Sequence, residues 1–232
     1  MSVTIYFINT ITGLEKSFNT LCDEMIEIKT VKKHISDESI ITQIIAAGGL
    51  TKTVRRRFSE NVISAEQAGA DIIQVTCSSV TPLIEYAQML VDVPVLSIDG
   101  PMAEAVTADY SKIGILATNP GTLNPSLQLL EKTADRINKK IEIETVLCGS
   151  AYDAMFSGNN KLHDGIVLTE LKNLMERVDA VVLAQASTAR VADMLTEKEK
   201  RVPVFTSPSF AVKHLAKTIT KIRRDGYETK QI

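Results

Sequence analysis

Apolar residues along the chain fall into short runs separated by longer amphipathic stretches. "VTIYFIN" at 3–9 is a β-rich apolar run entering the loop "TITG", and "EMIEIKTV" at 24–31 alternates well enough to read as a second strand. From about 51 to 68 the pattern is helical and closes on Gly69, a residue favoured just past a helix C-terminus. "DIIQVT" follows at once, then a helix over about 82–90 with Pro82 in its first turn, then a strand "VPVLSI" at 93–98. Strands separated by helical segments predict a parallel sheet covered by helices on both faces.

The second half repeats this order. "KIGILATN" at 112–119 answers the opening strand, a helix is predicted over about 123–138, and "IEIETVL" at 141–147 answers "EMIEIKTV". A helix over about 167–177 then precedes "DAVVLA", and "VPVFTSP" at 202–208 answers "VPVLSIDGP". The register holds: Ser2 to Ser111 is 109 positions, Asp71 to Asp179 is 108, and Pro94 to Pro203 is 109. The expected architecture is therefore α/β, with two similar lobes related by a pseudo-twofold and a cleft between them. The first lobe is expected over 1–105, with a C-terminal helix over about 209–232 packing back on it, and the second over 106–208.

Ligands of open parallel sheets bind beyond the carboxyl ends of the strands. The loops there are 9–13 and 76–79 in one half and 118–122 and 185–188 in the other. Their small hydroxyl residues and the N–H groups at helix starts suit a carboxylate.

Composition narrows the classes. Net charge is −2 with no large block of one sign, which gives no footprint for nucleic acid or an anionic membrane. The densest basic run, "VRRRF" at 54–58, reads as a solvated helix face. No apolar run approaches the roughly 20 residues needed to cross a bilayer, and "MSVTIYFINT" lacks the pattern of a secretory leader, so a cytoplasmic location is expected. Cys22, Cys77 and Cys148 lack paired spacing, and His34, His163 and His214 are scattered, so neither a disulfide framework nor a metal site is signalled. Cys77 stands apart because it sits between a strand and a helix start, where the helix dipole and nearby N–H groups lower a thiol's pKa. Cys22 and Cys148 read as small buried hydrophobes. His163 reads as a surface residue, with Asp164 near a helix N-terminus and the two not facing each other.

Several of these stretches resemble motifs of the aspartate/glutamate/hydantoin racemase superfamily. "VTCSS" resembles its first-lobe Cys-Asn-Thr motif, "IGILATNPGT" its second-lobe strand and Thr-rich loop, and "VVLAQAST" occupies the place of its second-lobe Gly-Cys-Thr motif. "AAGGLTKTVRRRF" and "GNNKLHDG" are similar to segments of an aspartate/glutamate racemase-like subgroup. The resemblance covers nearly the whole chain. It implies cofactor-independent chemistry, with no metal, at carbon next to a carboxylate of a small acid such as an amino acid or dicarboxylate. One cysteine thiolate would remove the α-proton while a second thiol returns one from the opposite face.

Here the two catalytic positions fall on Cys77 and Gln185. An amide has no acid or base pKa near neutrality, so Gln185 cannot exchange that proton and two-base racemisation is in doubt. By the same resemblance the substrate-binding positions are Asn9, Thr76, Ser78, Ser79, Thr118, Thr122, Ala186 and Ser187, with Ala186 acting only through its backbone. Ser78, Ser79, Ser187 and Thr188 also suit helix caps, and Asn9, Thr118 and Thr122 also suit turns. A single cysteine equally fits decarboxylation or cis–trans isomerisation, and a non-catalytic carboxylate-binding protein is the reading from another class. The expected partner is a small-molecule carboxylate, not nucleic acid or membrane, and the patterns leave room for a homo-oligomer.

Overall fold

A computed structural model describes residues 2–228, with side chains described through 224. Four parallel strands, β1 (Val3–Asn9), β2 (Thr30–Ser36), β3 (Ile72–Val75) and β4 (Val95–Leu96), form a sheet in the order β2-β1-β3-β4. Four more, β5 (Lys112–Ala117), β6 (Glu142–Leu147), β7 (Ala180–Leu183) and β8 (Val204–Thr206), form a second sheet in the order β6-β5-β7-β8. The repeat read from spacing is thus a repeat of topology. The central strands are apolar almost throughout because helices cover both their faces: every residue of β3 and β7 is buried.

The helices are α1 (Glu15–Met25), α2 (Glu38–Ala47), α3 (Lys52–Gln67), α4 (Ile84–Gln88), α5 (Gly100–Asp109), α6 (Pro120–Arg136), α7 (Gly149–Phe156), α8 (Asn160–Met175), α9 (Ala189–Ala192) and α10 (Ser207–Glu228). The alternation at 24–31 is not a strand. Glu24 and Met25 end α1, Ile26 is buried within the connection, and the strand begins at Thr30, in register with Val3. The segment after β3 is a 3-10 turn, Ser78–Leu83, that passes into the short α4.

One face of the first sheet packs on α2, α3 and the turn after Cys77, through residues such as Ile8, Ile40, Phe58 and Ile73. Its other face, Ile5, Phe7 and Ile72, is covered by Phe18 and Cys22 of α1 together with Ala211, Val212, Leu215 and Ile219 of α10. The last four residues of the expected C-terminal helix, 229–232, lie outside the described residues. Helix α5, which spans position 105/106, packs Met102, Ala103 and Val106 against Ile113, Ile115 and Val182 of the second sheet. Each half of the chain therefore lends its final helix to the other half's sheet. Among the described residues no helix is long and apolar enough to cross a membrane.

Candidate active site

The carboxyl ends of β1, β2 and β3 are tied by side chains. Thr76 donates its hydroxyl to Ile8 O at 3.1 Å and Asn9 Oδ1 at 2.8 Å, while Asn9 Nδ2 donates to Ser36 Oγ at 3.2 Å and lies 3.3 Å from His34 Nδ1. Asn9 is fully buried and does not line the cleft, so its role here is to brace three strand ends beneath it.

Cys77 comes directly after Thr76, in extended conformation at the head of the 3-10 turn. Burial pushes its thiol above the ordinary cysteine range. The Thr10 hydroxyl, the Ser79 backbone and hydroxyl, and the Val80 backbone all favour the thiolate, but together they do not overcome the loss of water. The expected lowering is therefore corrected. It rested on the dipole of a helix beginning after Cys77, whereas the chain there forms a six-residue 3-10 turn containing Pro82. One step further back, Asp99 is buried and accepts the Thr81 hydroxyl at 2.7 Å. Burial pushes its carboxyl up to about 6 against the Thr81 hydroxyl, which favours the anion, and its second oxygen has no hydrogen-bond partner among the described residues.

From the second lobe, Gln185 Oε1 accepts two bonds from Thr118, one from the backbone N at 2.7 Å and one from the hydroxyl at 3.0 Å. A backbone N–H can only donate, so the amide is held with oxygen toward Thr118, and its Nε2 is left to donate elsewhere. Thr118 is fully buried and does not line the cleft; it acts on the site by orienting Gln185. Asn119 caps α6 by accepting Gly121 N at 2.7 Å, and Thr188 returns its hydroxyl to Gln185 O at 2.7 Å. Ser79 and Thr122 join the lobes through a 3.0 Å hydroxyl pair.

These loops enclose a cavity of about 60 Å³. Thr76, Cys77, Ser78, Ser79, Thr122, Gln185, Ala186 and Ser187 all line it, so of the ten expected positions only Asn9 and Thr118 sit behind the wall. Sequence reasoning missed Ile41 on α2 and Tyr152, Met155 and Phe156 on α7. The signal was present, because α2 and α7 begin at the carboxyl ends of the edge strands β2 and β6, and the end-of-strand rule applies to them as well. Cys22 and Cys148 are buried outside the cleft with their thiols pushed up to about 11, chiefly by dehydration. Among the described residues, no group of three His, Cys, Asp or Glu side chains is placed to hold a metal ion.

The reading of His163 is also corrected. It is fully buried, and its Nδ1 lies 2.6 Å from Asp164 Oδ1, so the adjacent residues do meet. Arg190 of α9 closes the cluster, donating to Asp164 at 2.7 and 3.0 Å and to Ser187 O at 2.5 Å. Burial would raise the Asp164 carboxyl, but its bonds with Arg190 and His163 hold it below the usual range. The cluster fixes the loop that carries Gln185 and Ser187 onto the start of α8.

Two like lobes closing on one thiol-bearing cleft define the class, a two-lobed α/β enzyme. The sequence model of the Asp/Glu/Hydantoin racemase family matches residues 28–215, and the chain belongs to that family, whose members are enzymes of racemase, or isomerase, type. No curated protein matches the sequence. Among solved structures, glutamate racemase from Francisella tularensis in complex with D-glutamate superposes with a TM-score of 0.73 at 14% identity, covering 96% of this chain and 82% of its own. Allantoin racemase from Klebsiella pneumoniae gives 0.67 at 20% identity, covering 95% and 89%. The aspartate racemase of Picrophilus torridus gives 0.68 at 16%, covering 93% and 94%. At these identities the likeness concerns the fold.

Proposed function

We propose that the protein is a cofactor-independent enzyme acting at carbon next to the carboxylate of a small acid, with Cys77 as the group that exchanges a proton with that carbon. The observation that supports this is Cys77 itself, a half-buried thiol facing the cavity under four hydrogen-bond donors that favour its anion. In this reading the substrate carboxylate is held by the hydroxyls of Ser78 and Ser187 and the Gln185 amide, and the thiolate takes the proton from one face. Gln185 has no proton to exchange at neutral pH, so the opposite face is served by position and hydrogen bonding alone. That asymmetry favours a second reading within the same family. In cis–trans isomerisation of an unsaturated acid the thiolate adds to an alkene carbon, the new single bond rotates and the thiolate leaves, with no second acid or base required.

The test is to incubate the protein with small carboxylic acids in deuterated water and follow deuterium incorporation, alkene geometry and carbon dioxide release. Turnover should be lost in Cys77→Ala and nearly lost in Cys77→Ser, since a hydroxyl is scarcely ionised near neutral pH. Because burial raises the thiol, kcat/KM should climb with pH through and beyond the ordinary cysteine range. Turnover indifferent to Cys77→Ala would refute the assignment.

A further inference from the structure

We infer that the ligand of this cleft is a small acid with a single negative charge and an apolar substituent, carrying neither an ammonium group nor a second carboxylate. The inference rests on reading the cleft as the substrate site, and three features of its wall support it.

The first is charge. Among the described residues lining the cavity none is an Asp, Glu, Lys, Arg or His. An ammonium group drawn from water into this space would find no carboxylate, and a second carboxylate no cation, and the further uncharged groups of the wall are already engaged, Thr76 with Ile8 and Asn9 and Ser79 with Thr122. One carboxylate is a different case, because uncharged donors at the strand ends can replace its water. Gln185 Nε2 is free to donate once Oε1 is fixed on Thr118, and the Ser78 and Ser187 hydroxyls border the same space.

The second is the division of the wall by element. The strand-end loops supply its polar part. The loop after β1 and the helices α2 and α7 supply Ile11, Leu14, Ile41, Tyr152, Met155 and Phe156, an apolar surface from both lobes. Burial keeps the Tyr152 phenol protonated well into alkaline pH, so it adds no charge.

The third is the exposure of Phe156. Its ring centroid lies 4.6 Å from that of Tyr152, yet 67% of the residue faces solvent. A large aromatic left open on the rim of a cavity gains from an apolar group that covers it. The cavity, at about 60 Å³, admits roughly four to six water-sized groups, which sets the ligand as small.

The experiment is calorimetric titration of the whole protein with acetate, butyrate and hexanoate, then with succinate, glutarate, aspartate and glutamate. Binding should tighten about fourfold per methylene along the monocarboxylates until the cavity is filled. The dicarboxylates and amino acids should bind at least about tenfold more weakly than the monocarboxylate of like length. Phe156→Ser should flatten the chain-length dependence, and Met155→Lys, which supplies a cation, should shift the preference toward the dicarboxylates. A dicarboxylate or amino acid binding as tightly as the monocarboxylate of like length would overturn the inference, as would no binding of any acid to protein whose circular dichroism is native. Its failure is separable from failure of the proposed function. Cys77-dependent exchange on tightly bound aspartate sinks the inference alone, whereas the expected binding order without turnover on any acid sinks only the catalytic reading.

Discussion

Replacing Asp99 by Asn should change how stability depends on pH, by an amount the structure sets. The residue is 2% exposed, one oxygen is held by Thr81, the other has no partner, and burial moves the carboxyl from 3.8 to about 6. Between those values the native protein retains a proton that the unfolded chain has released. The stability associated with this group is therefore fully present below the unfolded pKa and is lost as pH rises through the folded one. A displacement of about two pKa units at roughly 1.4 kcal/mol each makes the loss about 3 kcal/mol, complete somewhat above pH 6. Asn cannot ionise, so the stability of the variant relative to wild type should improve by about 3 kcal/mol between about pH 4 and pH 7. The lowered carboxyls of Asp37 and Asp164 slope the other way, but they are common to both proteins and cancel in the difference. Urea unfolding of both proteins at intervals across that range measures it. A difference that stays constant with pH would refute the reasoning, since any misfit of the amide itself is a fixed offset.

Gly114→Ala should destabilise by about 1–3 kcal/mol, read as a lower urea midpoint, because a Cβ there would lie 2.8 Å from Leu174 in the second core. Gln185→Cys should cost about 1–3 kcal/mol by stripping the Thr118 N–H of its acceptor. It should also confer inversion at the substrate carbon with solvent deuterium incorporated, measurable by chiral chromatography, and a variant that exchanges no more than wild type would show that the second position does not face that carbon.

The sequence disclosed the central strands and the repeat because residues such as Ile72–Val75 and Ala180–Leu183 are buried on both faces and so leave nearly unbroken apolar runs. Other elements were illegible for definite reasons. Helix α1 does set a helical stripe, with Leu14, Phe18, Leu21, Cys22 and Met25 packed on the sheet, but Ile26 and Ile28 beyond it overlay that stripe with an apolar alternation that imitates a strand. Helix α7 buries Ala151 and Ala154 and turns Tyr152, Met155 and Phe156 toward the cleft, so its large apolar residues mark a site rather than a core. At Cys77 the local sequence pointed to a helix dipole, but the balance is decided by dehydration from distant segments. His163 meets Arg190 across 27 positions, a pairing that no local pattern announces.

The exchange of final helices has a consequence for synthesis. The face of the first sheet formed by Ile5, Phe7 and Ile72 awaits Ala211, Val212, Leu215 and Ile219, which are translated after the entire second sheet. During synthesis the N-terminal half can assemble the core on its other face, but this one stays only partly covered, by Phe18 and Cys22 of α1, until α10 emerges. Completion of the first core is thus postponed until the second sheet has been made.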